Sequence, residues 1–519
     1  MSEMNHEKNG FRIIPIDEGA ATLPAGYLSL TIDTSLVLGG HWWSGGPGSK
    51  RGVAIEKVPP IDLGNPKLLA LAKLLAPAML RIGGTEADRV VYKIRKKAKG
   101  GIEGRSGDEG RRGIESRSGD EGAAGEHEFV LKKKLWKRIN SFAQAAGFEI
   151  LFVLSAGPAD RDGAGSWICR GARRLIAYSA KKGLPVGAWE LGNEINGYPF
   201  VHGLRNRVSP SQYVEDFSAF SALVRKIHPA ALAVGPSSSF WPVIGEPNPI
   251  IPALARSSAM GPRDILSWHY YPQQSRRGRL ANRRATETTL LKPRRLDSVR
   301  KLARSVAKAS RGREVWMTET GHALYGGEPG LSDTYLSSIW WLDQLGLLAQ
   351  EGVSRVFRQT LVGSDYGLLD QETFEPRPDY YASFLWKKLM GRRVYQAPRL
   401  EGPDKGIRAY LHSSATGRSM DCLLIISLRG EWSHVTIPGS IVERYVVEPL
   451  QGLRSRSVAL NGVLAEEDLV FDWGKKRTRL KYRVTRSDLG KAEPGPQAEI
   501  GESTIDVPRH SYAFCLMRR

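Results

Sequence analysis

Two glutamates in strand-like settings are the residues whose type and placement best fit catalytic chemistry. Glu194 closes the run 189–194 and Glu319 lies in the run 315–320, and each run holds a tryptophan and leads into glycine-containing loop sequence. Carboxylates at the ends of different parallel barrel strands can face one cleft. Paired carboxylates catalyse glycoside hydrolysis, one as acid/base and one as nucleophile. The pattern predicts Glu194 as the acid/base and Glu319 as the nucleophile.

The residues around Glu194 favour this interpretation over a structural one. Asn193 places an amide beside the carboxylate, where it could hold a sugar hydroxyl next to the reacting carbon. An isolated Asn-Glu pair would more often cap a helix or stand solvated in a loop, but this pair ends a predicted strand. Glu190 lies inside the same strand, and we expect it to be an ion-paired or supporting group.

A second aromatic run supports Glu319. Residues 268–271 read Trp-His-Tyr-Tyr and end the predicted strand that would neighbour the strand of Glu319. A hydrogen bond to a carboxylate stabilises its charged form. His269 or Tyr271 could therefore keep Glu319 ionised, as a nucleophile requires, whereas a purely structural aromatic cluster would account for only one or two of the four residues.

The elements that position these residues alternate regularly along the chain. Eight apolar runs are predicted strands: 27–33, 79–84, 148–155, 187–194, 231–238, 264–271, 314–320 and 353–362. Amphipathic stretches predicted as helices alternate with them: 66–77, 128–145, 168–183, 209–229, 247–259, 296–312, 331–350 and 378–390. Eight such units predict an α/β fold, a (β/α)8 TIM barrel. An open doubly wound sheet is the alternative, but no glycine-rich phosphate turn follows the first strand.

Beyond residue 391 the pattern becomes short alternating segments typical of β-structure. We predict a catalytic barrel over 25–391 and a β-sandwich over 392–519, to which residues 1–24 contribute. A near-duplicated, glycine-rich and charged segment at 100–126 has almost no apolar residues, and we predict a disordered insertion there.

Composition narrows the functional classes. The 519 residues carry 75 Lys and Arg against 54 Asp and Glu, a net charge of +21 that indicates a polyanionic partner or surface. Cys169, Cys422 and Cys515 show no metal-ligand spacing, so we expect buried free thiols, with pairing of the last two left open. No signal peptide is visible at the start, which predicts a cytoplasmic protein, although an extracellular substrate would suit a secreted or periplasmic one.

At this point the sequence resembles glycoside hydrolase family 79, the family of heparanases and related β-glucuronidases. The matching stretches are 27–33, 80–85, 189–196, 268–271, 318–327, 331–334, 341–346, 358–359 and 511–514. The resemblance implies a (β/α)8 barrel with a β-sandwich, retention of configuration, Glu194 as acid/base and Glu319 as nucleophile, oriented by Tyr271. It implies no cofactor and no metal.

The resemblance also implies a set of substrate-binding residues. They are Asp33, Thr85, Arg276, Tyr325, Gly326, Gly327, Gln359 and Tyr366. Asp33 and Thr85 would bind a sugar on the non-reducing side. The two glycines would let backbone amides approach a uronate carboxylate, so we expect the acidic Glu328 that follows them to point outward.

The positive charge divides into two groups in the region 276–313. Arg300, Arg304, Lys308 and Arg311 have helical spacing and are predicted to form a solvated outer helix face. A second group follows the sixth strand on the catalytic side: Arg276, Arg277, Arg279, Arg283 and Arg284. We expect this second group to bind sulfate or carboxylate groups. The basic residue that mammalian heparanases carry shortly after the Asn-Glu motif is absent from 197–200.

These observations predict a retaining β-glucuronidase, endo-acting on heparan sulfate or a similar acidic polysaccharide. An exo-acting β-glucuronidase is the close alternative, and a catalytically silent polyanion-binding barrel is the alternative from another class. We expect a monomer that binds neither nucleic acid nor membrane, since no nucleic-acid recognition motif is present.

Overall fold

The computed structural model describes residues 10–44, 54–94, 128–241, 245–278, 284–417, 420–464, 469–472, 477–480 and 501–518. The insertion predicted at 100–126 lies outside these ranges, as do Arg279 and Arg283.

Within these ranges, eight parallel strands close into a barrel, and this confirms the predicted fold class. The strands are β1 Leu28–Asp33, β2 Ala78–Gly83, β3 Phe148–Leu154, β4 Val186–Leu191, β5 Leu232–Phe240, β6 Ile265–Tyr270, β7 Val315–Thr320 and β8 Arg355–Arg358. The main helices that follow them are α1 Pro66–Leu74, α2 Lys133–Ala146, α3 Arg170–Lys181, α4 Pro210–Ile227, α5 Ile250–Arg256, α6 Ser298–Ser310, α7 Tyr335–Gln350 and α8 Pro378–Leu389.

The element boundaries differ from the predicted ones in two informative places. Residues Phe129–Lys132, predicted as the first turn of a helix, form a short strand paired with Val90–Lys93, and its buried positions alternate as in a strand. Strand β4 ends at Leu191 rather than at Glu194, because Gly192 has a φ of 73°, which is incompatible with an extended strand.

The barrel interior is apolar at its lower end and polar above. One cluster collects a side chain from each of seven successive strands: Met79, Leu151, Ala188, Val234, Ile265, Trp316 and Phe357. Successive side chains of a strand point to opposite faces, so residues two positions further along face the same interior. On β2, β4 and β6 these residues are Arg81, Glu190 and Ser267, all fully buried. The apolar layer closes the bottom, and polar chemistry begins directly above it.

Helix starts follow the sequence signals. Helix α4 begins after Ser209, whose hydroxyl accepts a hydrogen bond from the Gln212 amide at 3.1 Å, with Pro210 at the first helical position. Asn65 caps α1 in the same way. Among the described residues, no helix combines the length and apolarity needed to cross a membrane.

The C-terminal part of the chain is a mixed sheet of ten strands, counted over the described segments. Its strands are Gly10–Thr22, Met390–Glu401, Ile407–Ser414, Asp421–Ser427, Ser433–Pro438, Ser440–Pro449, Val458–Leu460, Val463–Leu464, Glu502–Val507 and Tyr512–Arg518. Shorter strands pair two by two outside the barrel and this sheet: Gly40–Ser44 with Ala54–Val58, Gln273–Gln274 with Ala323–Leu324, and Leu469–Asp472 with Arg477–Leu480. Strand Gly10–Thr22 pairs antiparallel with Met390–Glu401, so the N-terminal strand is an integral part of the ten-stranded sheet.

Each face of the sheet has its own core. Tyr410, Cys422 and Phe514 belong to the large core shared with the barrel, whereas Leu423 and Cys515 belong to a second core on the opposite face. Cys422 pairs in register with Leu516, and Leu423 with Cys515. The two cysteines therefore point to opposite faces, and all three cysteines are free thiols.

Helix α7 joins the barrel to the sheet through a close contact at Gly346. The Tyr410 hydroxyl donates to Asp343 Oδ1 at 2.6 Å, which lays the ring along the helix. A Cβ on Gly346 would lie 2.3 Å from Tyr410 Cγ.

We expect Gly346→Ala to lower the free energy of unfolding by about 1–3 kcal/mol through overpacking, despite the better helix propensity of alanine. Thermal unfolding measures this, with Gly163→Ala as control because a Cβ there meets nothing within 4 Å; an equal effect of both changes would contradict the role given to the close contact.

Candidate active site

A β-bulge turns Glu319 into the barrel. Strand β7 pairs Met317 with Trp268 of β6, yet the next residue of β6, His269, pairs with Glu319. Thr318 is therefore an extra residue on β7, and a bulge of this kind re-aims side chains locally. As a result Thr318 and Glu319 both point inward, and the Thr318 hydroxyl donates to Glu190 Oε1 at 3.0 Å.

Glu319 accepts hydrogen bonds from two side chains, and His269 lies nearby. Tyr271 donates its hydroxyl to Oε1 at 2.7 Å, Arg81 Nη1 donates to Oε2 at 2.8 Å, and His269 Nδ1 lies 3.9 Å from Oε2. Burial alone would raise the pKa of Glu319, but the charges of His269 and Arg81 and the Tyr271 hydrogen bond lower this pKa below its ordinary value. Glu319 is therefore a carboxylate poised in its ionised form.

Glu194 faces Glu319 from the loop after β4. Its backbone lies in the left-handed region, with φ 49° and ψ 46°, and its side chain is partly exposed. Residues other than glycine rarely occupy this region outside constrained sites. His269 Nδ1 lies 3.1 Å from Glu194 Oε1. One oxygen of each glutamate and a ring nitrogen of His269 all lie within 4.8 Å of one another.

This geometry suits acid–base chemistry across a narrow gap. Retaining glycosidases place their two carboxyl groups about 5–5.5 Å apart. The same three groups are close enough to ligate a cation, but Glu319 is already satisfied by Arg81 and Tyr271. The donor set therefore fits a nucleophile better than a metal ligand.

Arg81 is one of two residues of the site that sequence reasoning missed. Its guanidinium donates from Nε to Glu190 Oε2 at 2.7 Å, from Nη2 to Asn193 Oδ1 at 2.8 Å, and to Glu319 as above. Glu190 is ion-paired as expected, and it also accepts from Ser267 at 2.8 Å. The signal that could have found Arg81 is a single arginine inside an otherwise apolar strand, since a charge there needs buried partners.

Asp88 fixes the loop that carries Asn193 and Glu194. Its carboxylate accepts from the Asn193 amide at 3.1 Å and from the Ala156 amide at 3.0 Å. Burial raises the pKa of Asp88 to about 6, although these amides oppose the shift. Sequence reasoning did not identify Asp88, because an aspartate in a short loop has no pattern of its own.

Asp33, Gln359 and Tyr366 lie together beside Glu319. Gln359 Nε2 donates to Asp33 Oδ1 at 2.7 Å, and the rings of Tyr366 and Tyr271 are 6.2 Å apart. Burial raises the pKa of Asp33 well above its ordinary value, as do the negative charges of Glu86 and Glu319. Asp33 therefore retains its proton to higher pH than an ordinary aspartate, and in that form it can donate to a sugar hydroxyl. Thr85 follows Gly84, which lies against the same carboxylate.

The segment 325–327 has an unusual backbone. Tyr325, Gly326 and Gly327 have φ values of 66°, 78° and 92°, all in the region that favours glycine. The Asp365 amide donates to Gly326 O at 2.8 Å. Burial and the charge of Glu194 raise the pKa of Tyr325.

Glu328 does not point outward as predicted. It is 5% exposed, and its carboxylate accepts from the Arg276 amide at 2.7 Å and pairs with Arg276 Nε at 2.9 Å. Its burial is offset by this cation and by the amide. Arg277 pairs with Asp365 Oδ2 at 2.7 Å and donates to Gly327 O at 3.2 Å. Arg284 is exposed.

The hydrogen bond from Tyr271 makes the pH profile testable. We expect Tyr271→Phe to raise the pKa of Glu319, because a donor to the charged form is lost. The acid limb of kcat/KM, which reports the free enzyme, should then move to higher pH, and the maximum rate should fall about 10–100-fold. A pH–rate profile measures both effects, with Tyr270→Phe as control because Tyr270 OH bonds Ser298 outside the cleft. A lower rate with an unmoved acid limb would contradict this role.

Comparison with known proteins identifies the family. The model of "Glycosyl hydrolase family 79, N-terminal domain" matches residues 54–346. Heparanase of Rattus norvegicus is 31% identical over 478 residues, which cover 84% of this chain and 82% of the rat protein. The chain belongs to glycoside hydrolase family 79. Membership of this family makes it a glycoside hydrolase, as predicted.

Other family 79 relatives differ in what their names state. Heparanase-like protein 1 of Arabidopsis thaliana is 29% identical, with 72% of this chain and 65% of that protein covered. Inactive heparanase-2 of Homo sapiens is 28% identical, with 85% and 80% covered. Membership of family 79 therefore does not by itself fix a particular activity.

Solved structures share the fold at low identity. A 4-O-α-L-rhamnosyl-β-D-glucuronidase from Fusarium oxysporum 12S has a TM-score of 0.61 at 14% identity, covering 98% of this chain and all of that chain. A family 51 arabinofuranosidase from Xanthomonas axonopodis pv. citri has a TM-score of 0.62 at 14% identity, with the same coverage. These likenesses bear on the fold alone.

Proposed function

We propose that this family 79 enzyme is a retaining β-glucuronidase, with Glu194 as acid/base and Glu319 as nucleophile. The observation that carries the proposal is the pair itself: two carboxylates facing each other within 4.8 Å, one of them kept ionised by Arg81 and Tyr271. Asn193, held by Arg81 through its Oδ1, would bind the hydroxyl beside the reacting carbon.

The proposed reaction is a double displacement. Glu319 attacks the anomeric carbon while Glu194 donates a proton to the glycosidic oxygen, so the bond to the leaving group breaks as the bond to Glu319 forms. Glu194, now a carboxylate, takes a proton from water, and the resulting nucleophile displaces Glu319. His269, between both carboxylates, would balance the charge that moves between them.

The uronate carboxylate is assigned to the segment 325–327 and Tyr366. Backbone amides there would donate hydrogen bonds to the carboxylate. Position 327 is restricted to glycine, because a Cβ there would lie 2.9 Å from the Tyr366 amide nitrogen. Arg277 lies behind this segment and braces it through the Gly327 carbonyl. Asp33, Thr85 and Gln359 would bind the same sugar.

We propose endo-action on heparan sulfate or a similar acidic glycan. The names of the heparanase relatives and the net charge of +21 support this mode. One observation favours exo-action, the removal of single terminal glucuronates: Arg276 and Arg277, two of the loop arginines expected to bind the polymer, are already paired with Glu328 and Asp365. Contribution of Arg276 to substrate binding stays a prediction.

One experiment separates these modes. An aryl β-glucuronide and heparan sulfate are incubated with the same preparation, and chromophore release is compared with the change in polymer size. Rapid loss of polymer length supports endo-action, and release of glucuronate without shortening supports exo-action. Turnover of neither substrate would refute the β-glucuronidase proposal.

Arg277 and Arg284, two of the three described loop arginines, should differ in effect. We expect Arg277→Ala to lower kcat/KM for a small aryl glucuronide about tenfold, because loss of a partly buried, hydrogen-bonded ion pair loosens the segment 325–327. Arg284→Ala is the control, because Arg284 belongs to the same loop and is exposed. Steady-state kinetics of both variants test this, and equal losses would refute the bracing role of Arg277.

A further inference from the structure

An exposed apolar patch lies directly after the acid/base candidate. Phe200 is 66% exposed and Leu204 is 81% exposed, with Val201 also exposed beside them. The Phe200 ring lies 4.6 Å from the Trp241 ring between centroids, at an interplanar angle of 54°. We call Phe200 and Trp241 the aromatic pair. Large apolar side chains grouped at a surface commonly mark a binding site.

The aromatic pair is tied to the catalytic loop. The Gly197 amide donates to Glu194 O at 2.7 Å, and Phe200 follows in the same turn-rich segment. Trp241 covers Gly197, where a Cβ would lie 3.8 Å from Trp241 Cζ2. Phe200 therefore lies six residues beyond the carboxylate proposed to protonate the leaving group, and Trp241 contacts the turn between them.

Hydrogen bonds fix Trp241 relative to this loop. Asn196 donates from Nδ2 to Ser239 O at 2.8 Å and accepts from the Ser239 amide at 2.9 Å. Trp241 and Gly245 exchange both backbone hydrogen bonds, at 2.8 and 2.9 Å. A rigid aromatic surface binds a ring with little loss of conformational entropy on association.

The chemistry of this surface selects its ligand. A sugar ring has a face of C–H groups that packs on an aromatic ring, as does an aromatic aglycone, whereas a sulfate packed there would lose water without gaining a cation. Burial and the charge of Arg89 lower the pKa of His202 to about 4, so this neighbouring imidazole is neutral at pH 7. The cations near this surface are Arg89, which pairs with Glu128 at 2.9 Å, and Arg205, just beyond Leu204.

We propose that Phe200 and Trp241 form the leaving-group subsite, and that this subsite selects a leaving group with an uncharged, apolar face. The proposal rests on the proposed β-glucuronidase function. It identifies the substrate class as glucuronides whose leaving group is an unsulfated sugar or an aromatic aglycone. Within a heparan sulfate-like chain, cleavage would then occur where the leaving sugar carries no sulfate.

The test compares four glucuronides in wild type and variants. They are methyl β-glucuronide, 4-methylumbelliferyl β-glucuronide, a disaccharide with unsulfated N-acetylglucosamine as leaving sugar, and its 6-O-sulfated form. We expect Phe200→Ala to lower kcat/KM about tenfold for each substrate whose leaving group has an uncharged ring. If Phe200→Ala lowers kcat/KM only for the unsulfated disaccharide, the natural substrate is a glycan. If it lowers kcat/KM only for the umbelliferyl substrate, the natural substrate is an aromatic glycoside. Methyl glucuronide should change less than about twofold, since it places no ring on the pair.

Control variants distinguish a leaving-group subsite from an indirect effect on Glu194. Leu204→Ala removes an apolar group that is even more exposed than Phe200 and should leave kcat/KM for all four substrates within about twofold. Equal losses on methyl glucuronide would show that Phe200 acts through Glu194, and unchanged kinetics on every substrate would show that the pair does not contact the leaving group; either result overturns the proposal. A wild-type preference for the sulfated disaccharide that Arg205→Ala abolishes also overturns it, while leaving the β-glucuronidase assignment intact. Absence of turnover of all four by the wild type refutes that assignment, and the subsite with it.

Discussion

Glu319→Gln is expected to abolish hydrolysis while the barrel stays folded. Glutamine keeps the shape of the side chain and can still bond Tyr271, but it cannot form the glycosyl–enzyme bond. The loss in kcat should be about 10⁴-fold or more, as for removal of a group that takes part covalently. Turnover of an aryl glucuronide measures the loss, and circular dichroism with thermal unfolding verifies the fold.

The companion substitution distinguishes the two roles. Glu194→Ala should retain more activity on aryl glucuronides with good leaving groups than on a polysaccharide, because departure of an acidic phenol needs little protonation. Azide should restore turnover in Glu194→Ala and in Glu319→Gly. The product should have retained configuration for Glu194→Ala and inverted configuration for Glu319→Gly. Rescue with the opposite stereochemistry would reverse the assignment of acid/base and nucleophile.

Arg81→Met should have the second largest effect. This guanidinium is fully buried and pairs with Glu190 and Glu319, so its removal leaves two buried carboxylates without their cation. The free energy of unfolding should fall by about 3–5 kcal/mol. Since Arg81 lowers the pKa of Glu319, its loss should also move the acid limb of kcat/KM to higher pH, and kcat/KM should fall at least about 100-fold.

A double variant separates stability from catalysis. Arg81→Met with Glu190→Gln removes one cation and one carboxylate together, and we expect much of the lost stability to return. Activity should stay low, because Glu319 and Asn193 still lack the guanidinium. Urea unfolding and steady-state kinetics on the single and double variants measure both quantities. Full recovery of activity in the double variant would mean that Arg81 serves only to neutralise Glu190.

The barrel and much of the site follow from local sequence patterns. Apolar runs and amphipathic stretches are properties of neighbouring residues, so the eight strands and helices were predictable. Glu190 was expected to be ion-paired because a lone acid inside a buried strand requires a partner. That partner is Arg81. The strands that carry Arg81 and Glu190, β2 and β4, both pair with β3 in the closed barrel, and the spacing of residues along the sequence does not show this arrangement.

The loop after the sixth strand shows the same limit. A run of arginines predicts positive charge, but the pairing of Arg276 with Glu328 and of Arg277 with Asp365 joins three separate loops. The relative orientation of Cys422 and Cys515 could not be predicted either. Their mutual orientation is decided by a single step of strand register, which composition cannot reveal.

The bulge at Thr318 has a consequence for transplanting this site into another barrel. In a regular strand only every second side chain faces the cleft, whereas in β7 both Thr318 and Glu319 do. Thr318 is hydrogen-bonded to Glu190, and Glu319 is hydrogen-bonded to Tyr271. Copying the side chains onto a strand of even pleat would aim one of these two residues into the surrounding helices. A designer who grafts the site must therefore carry over the irregular backbone as well as the residues.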